Sequence, residues 1–267
     1  MGIKFILKEF LSFIRIETCL FVTGMSLSGY LLFNLTDFKI FLLFLAIVLG
    51  TGASYAYNHL TDRREDLVSN KILNIFVLDV NLGRKIILIL FLSGLFLSIF
   101  LSPVSTILYS FLIVLSLIYS GFRVKEMRIK NVFTGFSMAL TFFIGAGVTG
   151  FLNFEMLSYF PLIFLFGFAI NMLGDMRGYR GDKSIGMRTL PIVFGFSVTK
   201  IVIYITAGVF LMCVVIFEFS KLYPLIPFLF LASFYLQKNN LKGTRFAILS
   251  SFICLPVLIT IMRMVGD

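Results

Sequence analysis

The sequence predicts an all-α bundle of helices that spans a membrane. Of 267 residues, 59% are hydrophobic and only 13% are charged, whereas a soluble domain has about 25% charged residues. The mean hydropathy is +1.02. Nine apolar segments reach the length of about 17–25 residues that crosses a bilayer. So few charged side chains cannot cover a protein of this size in water, and most of its surface must therefore face lipid.

The same composition excludes several classes of protein. A soluble enzyme, a nucleic-acid-binding module and a disordered chain are all inconsistent with it, despite the net charge of +10. Cys19, Cys213 and Cys254 lie in apolar runs, so we expect them to pack as small hydrophobic residues rather than to form disulfides. We expect no nucleic-acid partner, and no obligate protein partner is evident.

Nine spans are predicted within one domain over residues 1–267. The first is a spanning helix rather than a removable signal peptide, because Arg15 and Glu17 interrupt its apolar run. Short links that contain proline or glycine alternate with longer polar links, as in successive helical hairpins. The predicted spans are 10–34, 38–58, 84–101, 103–120, 131–150, 156–175, 192–217, 222–237 and 244–264.

The distribution of Lys and Arg predicts the orientation, because these residues are retained on the cytoplasmic side. With a cytoplasmic N-terminus, twenty of them lie inside and three lie outside, namely Lys39, Lys221 and Arg263. The sequence therefore predicts an integral protein of the cell membrane, with its longer polar segments in the cytoplasm and its C-terminus outside.

Two acidic segments occupy equivalent places in a weak internal repeat. Asp62 and Asp66 follow span two, and Asp175 and Asp182 follow span six, which is 113 to 116 residues later. Because four helices separate the two segments, the repeat units have the same orientation, as in parallel repeats about an axis normal to the membrane. We expect the two acidic segments to face each other across a central cavity.

The first acidic segment has a pattern that suits a metal ion. Asn58, Asp62 and Asp66 recur every four residues, so they share one face if the helix continues. Carboxylate and amide oxygens suit Mg²⁺, which also takes phosphate oxygens of a substrate. The alternative is a solvated helix end, in which residues 63–65 form ordinary surface pairs.

The second acidic segment strengthens the metal hypothesis. Asp175 and Asp182 are seven residues apart, which is two helical turns. An acid at the membrane edge is a functional candidate because its burial is costly. Two acidic clusters loaded with Mg²⁺ would bind a strongly anionic ligand, and a diphosphate meets that requirement.

Several cations are candidates for contact with such a ligand. Arg123 and Lys125 follow span four beside Tyr119 and either reach a phosphate oxygen or serve only as a positive-inside anchor. Arg15 is a similar candidate, and its alternative role is an ion pair with a neighbouring helix or with Glu17.

The combination of these motifs resembles the UbiA superfamily of intramembrane prenyltransferases. It consists of Asn58-x3-Asp62-x3-Asp66 after the second span, and of Asp175-x6-Asp182-x3-Gly186 followed by Thr189-Leu190-Pro191 after the sixth, with Tyr119 to Lys125 between them. The resemblance covers nearly the whole chain. It implies Mg²⁺-dependent transfer of a prenyl group from a polyprenyl diphosphate to a lipophilic acceptor, either a quinone-precursor ring or an isoprenoid glycerophosphate.

The resemblance also implies roles for individual residues. Asn58, Asp62 and Asp66 would hold one Mg²⁺, and Asp175 and Asp182 would hold a second. The candidate catalytic residues are Asp62, Asp175, Tyr119 and Lys125, and the candidate substrate-binding residues are Asn58, Arg15, Arg123, Lys125, Tyr119 and Asn171.

The sequence departs from the family pattern in four ways. His59 stands where members commonly have Asp, Gly178 where a third acid of the second motif is common, and Gly174 where Lys is common. The Arg-Pro that usually follows the first motif is absent, and the chain reads Asn70-Lys71-Ile72-Leu73-Asn74 there.

A cation-coupled transporter is the alternative function, because acids on membrane helices also bind transported ions. The acids here fall at the ends of spans rather than in the middle of them, which favours the enzyme.

Overall fold

The predicted all-α membrane bundle is confirmed. The computed structural model describes residues 2–34, 37–68, 72–122, 124 and 129–266, and these contain no strand. The short 3₁₀ helices Gly147–Thr149 and Ser220–Leu225 supplement the α-helices. The α-helices are α1 (Ile3–Phe13), α2 (Ile16–Phe33), α3 (Lys39–Thr61), α4 (Arg63–Val68), α5 (Ile75–Leu78), α6 (Val80–Ile99), α7 (Pro103–Gly121), α8 (Lys130–Ala146), α9 (Phe154–Ser158), α10 (Phe160–Ser184), α11 (Leu190–Ile216), α12 (Ile226–Gln237) and α13 (Leu241–Gly266).

Eight helical segments within the described residues are long and apolar enough to cross a membrane. They contain α2, α3, α6, α7, α8, α10, α11 and α13, and each overlaps one predicted span. The remaining predicted span, 222–237, is divided between the 3₁₀ helix Ser220–Leu225 and the 12-residue α12. The count of nine spans and the cytoplasmic N-terminus therefore stay predictions.

The first predicted span is two helices rather than one. α1 ends at Phe13 and α2 begins at Ile16, and Arg15 between them has the left-handed backbone angles φ 51° and ψ 57°. A left-handed residue interrupts a right-handed helix, because it turns the next peptide out of the helical path. α1 also exposes apolar side chains such as Ile3 and Leu7, whereas α2 is largely buried. The span therefore begins at Ile16 and not at residue 10.

α2 is largely buried and packs closely on two neighbours. A Cβ atom on Gly24 would lie 2.1 Å from the carbonyl oxygen of Phe252 in α13. A Cβ atom on Gly145 in α8 would lie 1.8 Å from the carbonyl oxygen of Ser26 in α2. Glycine is therefore required at both positions, as is typical of membrane helices whose backbones touch.

The order of neighbouring helices repeats along the chain. The contacts α2–α3, α3–α6, α6–α7 and α7–α8 have counterparts in α8–α10, α10–α11, α11–α12 and α12–α13, and α13 returns to α2. The predicted four-helix repeat requires this order. Three spanning helices lie between α3 and α10, so α3 and α10 run in the same direction and their C-terminal ends lie on the same side.

Candidate active site

A cavity of about 550 Å³ lies between six helices of the bundle. Side chains from α2, α3, α7, α8, α10 and α13 line it, and many of them are aliphatic or aromatic. Its charged lining comes from three acidic and four basic side chains: Asp62, Asp175 and Asp182, with Arg15, Lys130, Arg177 and Arg245. A cavity that combines both signs of charge with apolar walls suits a ligand that is anionic at one end and hydrophobic at the other.

The C-terminal end of α3 places Asn58 and Asp62 in the cavity wall. The Asn58 side-chain amide donates a hydrogen bond to the Asp62 carboxylate at 3.1 Å, and Ser120 donates to the Asn58 side-chain oxygen at 3.3 Å. α3 ends at Thr61, so Asp66 lies in α4. Asp66 is half-buried and is not among the residues that line the cavity.

α10 brings the second acidic segment into the cavity. Its helix continues without interruption through Asp175 and Asp182 to Ser184, so the two acids share a face as their spacing predicts. Asp175 is 2% exposed and forms a salt bridge of 2.5 Å with Lys130 through one oxygen. Its other carboxylate oxygen, Oδ2, is buried and has no hydrogen-bond partner among the described residues.

Tyr119 connects the two acidic segments. Its hydroxyl lies within electrostatic range of both Asp62 and Asp175. Its ring packs against Phe133 of α8, with 5.7 Å between the ring centroids. The two acidic segments therefore face a common space, as the repeat predicts.

Arg15 reaches the cavity from the break between α1 and α2. Its Nε atom donates a hydrogen bond to Nε2 of His59 at 3.0 Å, and its guanidinium lies 5.7 Å from the centre of the Tyr55 ring. A cation over an aromatic face is attracted by the ring quadrupole. His59 and Tyr55, both on α3, thus hold the guanidinium at the edge of the cavity.

The remaining predicted residues divide into two groups. Asn171 lines the cavity, and its side-chain amide donates to the side-chain oxygen of the buried Asn131. Arg123 and Lys125 lie outside the residues that the structure describes.

The sequence matches a known protein family over most of its length. Residues 18–254 match the model of the UbiA prenyltransferase family. The chain belongs to the UbiA prenyltransferase family. The resemblance seen in the paired motifs is thereby confirmed, although no curated protein is significantly similar to this sequence.

Solved structures share the UbiA fold of the chain. A UbiA homologue from Archaeoglobus fulgidus, bound to DMAPP and Mg²⁺, is 16% identical with a TM-score of 0.76, over 95% of this chain and 99% of that one. An apo homologue from Aeropyrum pernix K1 is 16% identical with a TM-score of 0.74, over 94% and 98%. A digeranylgeranylglyceryl phosphate synthase structure is 20% identical with a TM-score of 0.67, over 95% and 97%.

Three cations of this UbiA-family cavity were missed by sequence reasoning, which assigned Lys130, Arg177 and Arg245 to the positive-inside pattern only. Lys130 carried one detectable signal, because it is the first residue of α8 and a positive charge at a helix N-terminus opposes the helix dipole. Its salt bridge to Asp175 explains the position. Arg177 and Arg245 carried no signal that distinguishes them from the other basic residues of the polar segments.

The donor set of the cavity fits Mg²⁺. Among the described residues, no group of three or more His, Cys, Asp or Glu side chains is close enough to hold a metal ion. Mg²⁺ does not need such a group, because it typically binds through one or two carboxylates together with water and substrate phosphates. The buried Oδ2 of Asp175, which has no hydrogen-bond partner in the described part of the chain, is the kind of oxygen that such an ion would satisfy.

Proposed function

We propose that this protein transfers a prenyl group from a prenyl diphosphate to a lipophilic acceptor within the membrane. The observation that carries the proposal is the meeting of Asp62 and Asp175 with Tyr119 in one cavity, at the same ends of two parallel helices. Homologous structures from Archaeoglobus fulgidus are bound to DMAPP or GPP together with Mg²⁺. They support a prenyl diphosphate as the ligand of this cavity.

Two groups of residues would hold Mg²⁺ ions, as the family motifs imply. The first group is Asn58, Asp62 and Asp66, and the second is Asp175 and Asp182. When bound, the ions would neutralise negative charge on the diphosphate as it leaves. Of these residues, Asp66 does not line the cavity, so it would have to reach the ion from α4.

The residues of the chain itself bind the diphosphate, attract the allylic cation and exclude water. Arg15 and Lys130 bind oxygens of the diphosphate, and we assign Arg123 and Lys125 to the same task. The allylic carbon–oxygen bond then breaks, and both of its electrons leave with the diphosphate. Aromatic faces such as those of Tyr119 and Phe133 attract the allylic cation and keep water away from it.

The acceptor completes the reaction. Its nucleophilic carbon or hydroxyl oxygen forms a bond to the allylic carbon and releases one proton to water. A quinone-precursor ring and an isoprenoid glycerophosphate are both candidates. The structural likeness to a digeranylgeranylglyceryl phosphate synthase adds support to the second candidate.

The site is assigned to the cytoplasmic face of the cell membrane. Twenty of the 23 Lys and Arg residues fall on that side in the nine-span arrangement. An anionic leaflet and an anionic substrate both suit this excess of positive charge.

Mg²⁺-dependent turnover of a labelled donor tests the proposal. The purified full chain is incubated in detergent with radiolabelled geranylgeranyl diphosphate and a panel of acceptors, and diphosphate release and product mass are measured. We expect Asp62→Asn and Asp175→Asn to reduce turnover by about 100-fold or more, since each removes charge that positions and neutralises the leaving group.

Asp79→Asn is the matched control. Asp79 accepts a hydrogen bond from the backbone nitrogen of Leu82 at 3.0 Å and does not line the cavity. Asn caps a helix as well as Asp does, so this variant should keep full activity. Absence of Mg²⁺-dependent binding of any prenyl diphosphate would contradict the proposal, and cation uptake by reconstituted vesicles without diphosphate release would support a transporter.

A further inference from the structure

Two arginines on one flank of the cavity are placed close together. Arg177 of α10 and Arg245 of α13 both line the cavity, and their positive charges lie close enough to repel each other. Neither forms an ion pair or a hydrogen bond with the residues that the structure describes. Two like charges in a partly apolar cavity raise the local potential and favour an anion between them.

This pair is separate from the acidic flank of the cavity. Successive residues of an α-helix are rotated by about 100°, so Arg177 points about 200° away from Asp175 around α10. Asp175 and Asp182 share the opposite face. The two arginines therefore lie on a different flank of the cavity from the salt bridge between Asp175 and Lys130.

The surroundings of the pair are apolar. Leu173 of α10 and Ile248 and Leu249 of α13 line the cavity on the same flank. A ligand whose anionic group is bound by the arginines would therefore place its remaining part against a hydrophobic surface between two helices. An amphipathic molecule with one anionic group matches this combination.

We propose that Arg177 and Arg245 bind the anionic head group, a carboxylate or a phosphate, of the prenyl acceptor. The inference rests on the proposed function and specifies the acceptor class. Guanidinium groups bind both anions through paired hydrogen bonds. An anionic acceptor would repel the diphosphate in the same cavity, and binding on a separate cationic flank reduces that repulsion.

Matched acceptors and matched variants test the inference on the full chain. The acceptors are 4-hydroxybenzoate with its methyl ester, and geranylgeranylglyceryl phosphate with geranylgeranylglycerol, so that each anion has an uncharged counterpart and the two anion sources are distinguished. The variants are Arg177→Gln and Arg245→Gln. Arg180→Gln is the control, because Arg177 and Arg180 are both exposed on α10 but Arg180 does not line the cavity.

We expect the wild type to prefer the anionic member of one pair. Each cavity variant should raise the KM for that acceptor by about tenfold or more, as loss of a charged hydrogen-bond partner does. The KM for the uncharged counterpart, the Kd for geranylgeranyl diphosphate with Mg²⁺ and the behaviour of Arg180→Gln should not change. Retained donor binding also shows that the variants are folded.

Three results would overturn the inference. An unchanged KM for the anionic acceptor would show that the arginines do not contact it, and an equal weakening of donor binding would assign them to the diphosphate. If the wild type transfers to no acceptor, thermal stabilisation by the anionic acceptors without donor is measured instead. Stabilisation of the wild type but not of the cavity variants would support the anion site even if the proposed reaction fails, whereas equal stabilisation by dioleoylphosphatidylglycerol would overturn it.

Discussion

At the scale of single residues, the ion pair between Lys130 and Asp175 couples stability to function. Asp175 is 2% exposed and Lys130 is 16% exposed, so removal of the lysine leaves a charge buried without its partner. Such a change costs about 3–5 kcal/mol. We therefore expect Lys130→Met to lower the thermal unfolding temperature in detergent.

Addition of Mg²⁺ should restore part of this loss if Asp175 is a metal ligand. The measurement is thermal unfolding of the wild type and Lys130→Met, each in EDTA and in Mg²⁺. The double variant Lys130→Met with Asp175→Asn is the control, since it removes both charges and should respond little to the ion. Equal effects of Mg²⁺ on all three proteins would contradict the assignment of Asp175.

Arg15 gives a second prediction, in which two substitutions differ in stability but weaken ligand binding equally. Its φ of 51° costs a residue with a side chain about 1–2 kcal/mol, whereas glycine adopts this conformation freely. Arg15→Gly should therefore unfold at a higher temperature than Arg15→Ala. Both variants lose the guanidinium and should bind prenyl diphosphate equally weakly, which a filter-binding assay measures. Wild-type affinity in either variant would exclude Arg15 from the donor site.

The charged residues of the cavity show how much of the site could be predicted from the sequence. Asp62 and Asp175 were predictable because their spacing and their place after equivalent spans can be read directly from the sequence. Arg177 and Arg245 were not, because a basic residue that faces a cavity has the same sequence signature as one that faces the cytoplasmic leaflet. Only the packing of α10 against α13 distinguishes them.

At the scale of helices, the close packing of α2 on α8 depends on Gly145. A Cβ atom there would lie 1.8 Å from the carbonyl oxygen of Ser26, so the two backbones must separate. We expect Gly145→Ala to lower the unfolding temperature and the yield of folded protein in detergent. Gly208→Ala is the matched control, because in the part of the chain that the structure describes no atom beyond its own stretch of helix lies within 4 Å of its Cβ position. Alanine there should be neutral or should stabilise α11 by up to about 1 kcal/mol, and equal losses in both variants would contradict the packing argument.

Helix boundaries were predictable where polar residues or proline end the apolar run, and were not where the run continues. α7 begins at Pro103 after the capping Ser102, whose side chain accepts a hydrogen bond from the backbone nitrogen of Ser105, and the predicted span begins at the same residue. The break at Arg15 was missed because apolar residues flank it directly, Ile14 before it and Ile16 after it, so the polar Arg15 and Glu17 are compatible with one continuous span. A backbone turn within an apolar run leaves no trace in hydropathy.

At the scale of the whole molecule, the position of Arg245 constrains the course of the chain. Beyond a kink at Gly195, α11 runs over residues 196–216 and carries the chain about 30 Å away from the end of α10 at which Arg177 lies. Arg245, in the first turns of α13, is nevertheless close to Arg177. The chain between residues 217 and 244 must therefore return to the side of the acids.

The 3₁₀ helix Ser220–Leu225 and α12 together are long enough for this return. Six residues at about 2.0 Å and twelve at about 1.5 Å extend about 30 Å, which equals the hydrocarbon thickness of a bilayer. We therefore expect nine crossings, with residue 218 and residue 242 on opposite sides of the membrane.

Cysteine accessibility measures this directly. In a background with the three native cysteines replaced, Glu218→Cys and Lys242→Cys are labelled in intact cells with a membrane-impermeant thiol reagent. Arg180→Cys and Glu155→Cys are the reference positions for the predicted inside and outside. We expect Glu218→Cys to react as Glu155→Cys does, and Lys242→Cys to react only after permeabilisation, as Arg180→Cys does. Reaction of residues 218 and 242 from the same side would contradict the ninth crossing. If residues 242 and 180 react in intact cells and residues 218 and 155 react only after permeabilisation, the nine crossings stand and the orientation is the reverse of the one that the positive charges predict.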